Sequence, residues 1–247
     1  MSPPSEVILE GERVTKYFGG SAALKEVSFQ VSRGEILGLI GPNGAGKTTL
    51  LNIINGILLP SAGTVRLHGR TVVGLKPHAV ARLGIARVLQ SPRPFASMTV
   101  LENVAVGALF GGQDKGVTAS TALEQAESTL QFMGLYDKRH LPVRSVTLQE
   151  KKMIELARAL ATRPEVTLID EVMSGLNPSE VEESMRLIRR VRDDLRVTII
   201  WVEHVMKAIM GTAERVMVLN YGQMIAMGRP EEVARDQAVI DAYLGRG

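Results

Sequence analysis

The 247-residue sequence contains no cysteine, which excludes a disulfide framework, thiol catalysis and cysteine-ligated zinc. It has little excess of either charge: 29 lysines and arginines stand against 26 aspartates and glutamates. The sequence pI of about 9.3 therefore reflects only three surplus charges, too few for the basic footprint of a nucleic-acid-binding surface. No stretch reaches the ~18 uninterrupted apolar residues of a membrane span. The first residues, Met1-Ser2-Pro3-Pro4-Ser5-Glu6, lack the basic-then-apolar order of a signal peptide. A chain of this kind is expected in the cytosol, and any work at a membrane is expected from the water side, through partners. Repeats and low-complexity linkers are absent as well. What is present, 45% hydrophobic and 22% charged residues, is globular composition, incompatible with wholesale disorder, collagen or coiled coil.

Short β-branched or alternating runs separated by glycines occupy residues 6–70: Val7-Ile8-Leu9, Val27-Ser28-Phe29-Gln30-Val31, Glu35-Ile36-Leu37-Gly38-Leu39-Ile40 and Gly63-Thr64-Val65-Arg66-Leu67. These predict strands. Helical periodicity begins after Gly46, with Leu50, Leu51, Ile54 and Ile57 on one face. Residues 98–162 change character, with helical segments expected at 99–109, 118–133 and 149–162. Alternation of strand and helix then resumes: a strand at 166–169, a helix from Pro178 to about 194, a strand at 197–202, another helix, and a strand at 216–219. Pro178 suits a first helical turn with Asn177 before it as cap. Arg186, Arg189, Arg190 and Arg192 are expected on the solvated face of that helix. The pattern implies a largely parallel sheet covered on both faces, a core of residues 6–97 and 163–247 interrupted by an all-helical subdomain at 98–162.

Gly41-Pro42-Asn43-Gly44-Ala45-Gly46-Lys47-Thr48 matches G-x-x-x-x-G-K-[ST] between an apolar strand and a helix, the context a phosphate-binding loop requires. Glycines let successive backbone N–H groups face one anion, and the following helix adds its positive dipole end. Lys47 is placed to reach β- and γ-phosphates, and the Thr48 hydroxyl to ligate Mg²⁺. A second apolar strand runs into acid at Val166-Thr167-Leu168-Ile169-Asp170-Glu171. Ligands of open α/β sheets bind at the carboxyl ends of strands, so Asp170 is the expected Mg²⁺ ligand and Glu171 the proton acceptor for attacking water. Strands ending in His204 and Gln90 are expected to contribute one polar residue each to the same edge.

Loop, Gln90, helical insertion, Asp170-Glu171 and His204, in that order, resemble the ATP-binding subunit of an ABC transporter along essentially the whole chain. The resemblance implies a P-loop NTPase (RecA-like) core with an antiparallel β edge, ATP and Mg²⁺ as ligands, and hydrolysis of ATP to ADP and phosphate. By resemblance, Phe18 stacks on adenine, with Tyr17 the alternative; residues Gly41 to Thr49 are the Walker A loop, Thr49 included. Gln90 touches Mg²⁺ or water and senses a membrane partner. Asp170 and Glu171 are the Walker B aspartate and catalytic glutamate, and His204 the switch histidine. Ser174-Gly175-Leu176-Asn177 occupies the D-loop. The signature, usually Leu-Ser-Gly-Gly-Gln, is here Val146-Thr147-Leu148-Gln149-Glu150: Thr147 keeps a hydroxyl for a facing nucleotide, but both glycines are gone. Residues 160–164, 170–178, 202–210 and 239–245 are similar to the Liv-type branched-chain amino-acid importers. That implies permease subunits, a second ATP-binding subunit, a solute-binding protein acting indirectly, no nucleic acid, and a peripheral place on the cytoplasmic face of the membrane. Related importers carry urea or short amides. The alternative is an ABC ATPase of DNA repair or translation, which usually has a longer insertion or two ATPase units. A P-loop kinase or GTPase leaves His204 and Gln90 unexplained. Ser91-Pro92-Arg93-Pro94-Phe95 either touches a membrane subunit or is an ordinary proline-rich turn.

Overall fold

The computed structural model describes residues 6–112 and 116–244. Residues 1–5, read above for a leader, and Gly245 of the terminal segment lie outside the described residues. In chain order the strands are β1 Val7–Phe18, β2 Ser21–Ser32, β3 Ile36–Ile40, β4 Ala62–Leu67, β5 Arg70–Thr71, β6 Ile85–Val88, β7 Val166–Asp170, β8 Thr198–Val202, β9 Arg215–Asn220 and β10 Gln223–Gly228. The helices are α1 Lys47–Ile54, α2 Pro77–Arg82, α3 Val100–Gly111, α4 Ala119–Phe132, α5 Leu148–Leu160, α6 Pro178–Leu195, α7 Met206–Thr212, α8 Pro230–Val233 and α9 Gln237–Leu244. They divide into two compact units, Met1–Pro77 with Met173–Gly247, and His78–Val172.

In the first unit β1 pairs antiparallel with β2 and β4, and β4 with β5. A second layer runs β8-β3-β9 in parallel, with β10 antiparallel on β9. All five residues of β3 and of β8 are buried, as expected of parallel strands covered on both faces and written as continuous apolar runs. Helix α6 buries Val181, Met185, Ile188 and Val191, the i, i+4, i+7 stripe of an amphipathic helix. Asn177 caps it as expected: its Oδ1 accepts the Glu180 N–H at 3.0 Å and Glu180 accepts the Asn177 N–H at 2.7 Å. Two of the four arginines expected in solvent do more. Arg189 donates to the Gly211 carbonyl at 2.5 Å, and Arg192 pairs with Glu214, so both tie α6 to the end of α7.

The second unit sets the parallel pair β6 and β7 beside three helices, α3, α4 and α5, with α3 packed on both of the others. Thr99 and Thr147 cap α3 and α5 in reciprocal boxes with Glu102 and Glu150, the S/T-x-x-E arrangement that satisfies orphan N–H groups at a helix start. Five elements were not expected: β5, β10, α2, α8 and α9. Expectations fail in detail: the strands expected to end in Gln90 and His204 stop two residues earlier, at Val88 and Val202, and Ile57 lies beyond α1, which ends at Ile54 with Asn55 as its cap, and is 52% exposed rather than on the helix's apolar face. Gly56 at φ +77° turns the chain out of the helix before Ile57 is reached.

Candidate functional site

The phosphate loop grows out of the sheet register. β3 pairs with β8 at Leu39↔Val202 and with β9 at Ile40↔Val218, so β3 and β8 end on the same edge of the first unit. Gly41 leaves β3 at φ +149°, where an added Cβ would sit 2.1 Å from the Leu219 carbonyl oxygen. Gly46 enters α1 at φ +105°, its Cβ direction blocked by the Ala23 carbonyl at 2.5 Å. Only glycine fits both conformation and space. Between them the Ala45 N–H closes on the Pro42 carbonyl at 3.1 Å.

Helix α1 starts with no side-chain cap and no acidic residue in its first turn. Its N–H groups and dipole are thus uncontested by a carboxylate, which suits an anion. Lys47 is buried, and its ammonium donates to the Gly41 carbonyl at 2.7 Å and the Pro42 carbonyl at 3.1 Å. The loop therefore pre-orients its own cation. Thr48 is exposed and Thr49 half-buried. From α9, the Tyr243 hydroxyl meets the backbone of the same loop: burial pushes its pKa up, and a hydrogen bond from the Gly41 N–H partly offsets that.

His204 follows β8 by two residues and is exposed, on the edge that carries the loop. The residue before it is the opposite: Glu203 is 2% exposed and accepts the Met173 N–H at 2.7 Å. Phe18 and Tyr17 end β1 half in solvent. The Lys16 ammonium lies 5.2 Å from the Phe18 ring centroid and donates to the Leu59 carbonyl at 2.8 Å, leaving Phe18 a propped aromatic surface open to a flat ligand.

The second unit assembles the acids. β6 and β7 run parallel with Val88↔Ile169 paired, so Gln90 and Asp170-Glu171 emerge from one edge. Gln90 Nε2 donates to Glu171 Oε2. Asp170 is 4% exposed, and its Oδ2 accepts from Arg87 Nη2 at 2.8 Å. Sequence reasoning missed Arg87 and Glu203. For Arg87 there was a signal, one guanidinium inside the apolar strand Ile85-Ala86-Arg87-Val88, three residues before Gln90. Glu171 itself has φ +51°, the left-handed region that non-glycine residues occupy at a cost and that clusters at functional sites. Thr147 caps α5, its hydroxyl accepting the Glu150 N–H at 3.2 Å, while Leu148, where the family has glycine, is 61% exposed.

A buried, loop-held lysine beside an uncapped helix can neutralise phosphate, and a carboxylate held by an amide donor can accept a proton. A family model described as ABC transporter matches residues 24–174, and one described as Branched-chain amino acid ATP-binding cassette transporter matches residues 223–247. The high-affinity branched-chain amino acid transport ATP-binding protein LivG of Salmonella typhimurium is 37% identical over 98% of this chain and 99% of its own length. BraF of Pseudomonas aeruginosa, with the same description, is 34% identical over 98% and 99%. The crystal structure of the ADP conformation of an ATP-binding cassette from an ABC transporter superposes with a TM-score of 0.87, at 29% identity, covering 98% of this chain and all of that one. The chain belongs to the ABC transporter family, as one of its nucleotide-binding ATPase cassettes.

Proposed function

We propose that the chain energises an importer of branched-chain amino acids, docked from the cytoplasmic side on separate permease subunits and working with a second ATP-binding subunit. The observation that carries this reading is the full-length likeness to LivG together with the C-terminal match at residues 223–247, because that segment lies outside the general ABC match at 24–174. No helix among the described residues is long and apolar enough to cross a membrane.

In this reading Phe18 stacks on adenine, and the loop Gly41 to Thr49 holds the phosphates with the Lys47 ammonium and with its N–H groups other than those of Gly41 and Ala45, which are engaged elsewhere, Pro42 lacking one. Glu171 accepts the proton of the attacking water, oriented by the Gln90 amide, while His204 contacts the γ-phosphate. Thr48, Asp170 and Gln90 supply an all-oxygen donor set, which suits a hard cation; Mg²⁺ held there would offset charge on the phosphate oxygens. Thr147 offers its hydroxyl to a nucleotide on the facing subunit.

The decisive experiment is reconstitution with the permease and its solute-binding protein in vesicles containing ATP. Labelled leucine, isoleucine and valine should accumulate, and Glu171→Gln should stop accumulation. Uptake of urea or short amides in place of the amino acids would reassign the cargo. ATP hydrolysis with no permease association would favour a non-transport role.

A further inference from the structure

After Gln90 the chain runs Ser91-Pro92-Arg93-Pro94-Phe95. Proline locks its own φ, lacks an N–H, and confines the preceding residue to extended backbone. Residues 91–94 alternate between prolines and residues that precede them, so the segment is stiff. From Pro92 to Phe95 only Arg93 and Phe95 carry backbone donors.

Both donors end on buried side chains. The Arg93 N–H donates to Glu155 Oε1 of α5 at 2.7 Å, and the Phe95 N–H to Asn103 Oδ1 of α3 at 2.7 Å. Asn103 returns hydrogen bonds to the Phe95 carbonyl at 3.1 Å and the Thr99 carbonyl at 2.9 Å. Glu155 is 4% exposed and Asn103 fully buried. The second carboxylate oxygen of Glu155 pairs with Arg158, whose guanidinium lies 5.5 Å from the Phe95 ring. An apolar side chain would pack these helices without the desolvation cost that a buried carboxylate or amide incurs. What an apolar residue cannot do is hold a backbone N–H at one place.

We propose that Glu155 and Asn103 are positioning residues for ATP hydrolysis, clamping this proline-stiffened strut at both of its donors and thereby holding Gln90 against Glu171. The inference rests on the reading of Glu171 as the proton acceptor. It makes the strut part of the reaction's geometry rather than an ordinary turn.

The test compares ATP turnover and equilibrium binding of a fluorescent ATP analogue for the full chain, alone and in its permease complex. Glu155→Ala and Asn103→Ala should lower kcat by roughly ten- to a hundredfold, the cost of misplacing a reacting group by about an ångström. Nucleotide Kd should stay within about twofold, a loss confined to the transition state. Glu155→Gln keeps an oxygen acceptor for the Arg93 N–H and should recover part of the loss. Because truncating a buried group can prevent folding, Pro92→Gly/Pro94→Gly tests the same idea with every buried group intact, and should lower kcat with Kd unchanged. Amide exchange across residues 88–98 should quicken in each of these variants. The proposal is overturned if the glycine pair keeps kcat within about twofold of wild type. It is equally overturned if kcat and Tm fall while Kd rises with them and Glu155→Gln is no better than Glu155→Ala, the mark of a merely structural role. Normal turnover in Glu171→Gln would overturn the reading of Glu171 instead, and the strut's catalytic role with it.

Discussion

The Arg87–Asp170 pair makes a quantitative prediction about stability. Arg87 lies directly opposite Leu168 across β6 and β7, and side chains two residues apart on a strand share a face. The long arginine side chain thus reaches along the strand to Asp170, meeting it at 2.8 Å with the two side chains only 8% and 6% exposed. At that burial, removing one partner strands an uncompensated charge, which costs about 3–5 kcal/mol. A domain's whole stability is about 5–15 kcal/mol, so Arg87→Met should bring the unit near its unfolding threshold. Replacing both partners with apolar residues of similar size is often neutral. Arg87→Met/Asp170→Leu should therefore be more stable than either single variant, with a coupling energy of about 3 kcal/mol. The assay is urea unfolding without nucleotide, followed by far-UV circular dichroism and by fluorescence of the single tryptophan, Trp201; coincident transitions license the subtraction. Strictly additive single effects, or a cost below about 1 kcal/mol for Arg87→Met, would refute the reasoning.

Lys47→Ala should weaken nucleotide binding by roughly 1.5–3 kcal/mol, about one to two powers of ten, since it removes a charged hydrogen-bond donor; equilibrium titration checks it, and unchanged affinity sinks the site. Glu171→Gln should bind ATP normally yet turn over about 10²–10⁴ times more slowly, with normal phosphate release the contrary result. His204→Ala should also slow release. The chain alone is expected to turn over slowly, and Leu148→Gly/Gln149→Gly should raise its turnover, because the exposed Leu148 and half-buried Gln149 side chains at the start of α5 hold a phosphate off its N–H groups; equal turnover before and after would mean the altered signature is already competent. Hydrogen bonds from the Thr99 N–H and hydroxyl hold the Glu102 carboxyl below its ordinary 4.5. A depressed folded pKa stabilises above the unfolded value and loses that as pH falls through the folded one, so the Tm deficit of Glu102→Ala at pH 7 should shrink below pH 4.5.

Contiguous chemistry was legible in the sequence. The phosphate loop, the apolar strand running into Asp170-Glu171, and the Asn177 cap each need only neighbours along the chain, and the apolar runs before Gln90 and His204 placed them near strand ends, two residues beyond the points where the strands stop. Elements without a local signature were not. Helix α2 has six residues, too few for a 3.6-residue period to show. Strand β10, Gln223–Gly228, has one β-branched residue and forms because β9 offers it an edge. The twelve-residue strands β1 and β2 showed only as short apolar runs because their pairing shifts register at several points, and a shift of one residue exchanges the faces on which apolar side chains fall.

The deeper omission concerns how the site residues are held. Each of Arg87, Asn103, Glu155 and Glu203 belongs to a type usually found in solvent, and apart from the apolar strand around Arg87 nothing along the chain marks them as buried. Three of them bind main chain: Asn103 and Glu155 fix the strut beyond Gln90, and Glu203, beside His204, takes the N–H of Met173, two residues past Glu171. The fourth holds Asp170 directly. Main-chain N–H groups are present at nearly every residue and carry no sequence signature, so a side chain that serves them cannot be recognised by its partner's identity. A motif reports which atoms meet the nucleotide, whereas the groups that fix those atoms are visible only when burial and hydrogen bonding are known together. Those that serve a main-chain N–H tolerate substitution only by side chains that keep an acceptor in the same place, and the contrast between Glu155→Gln and Glu155→Ala measures that tolerance.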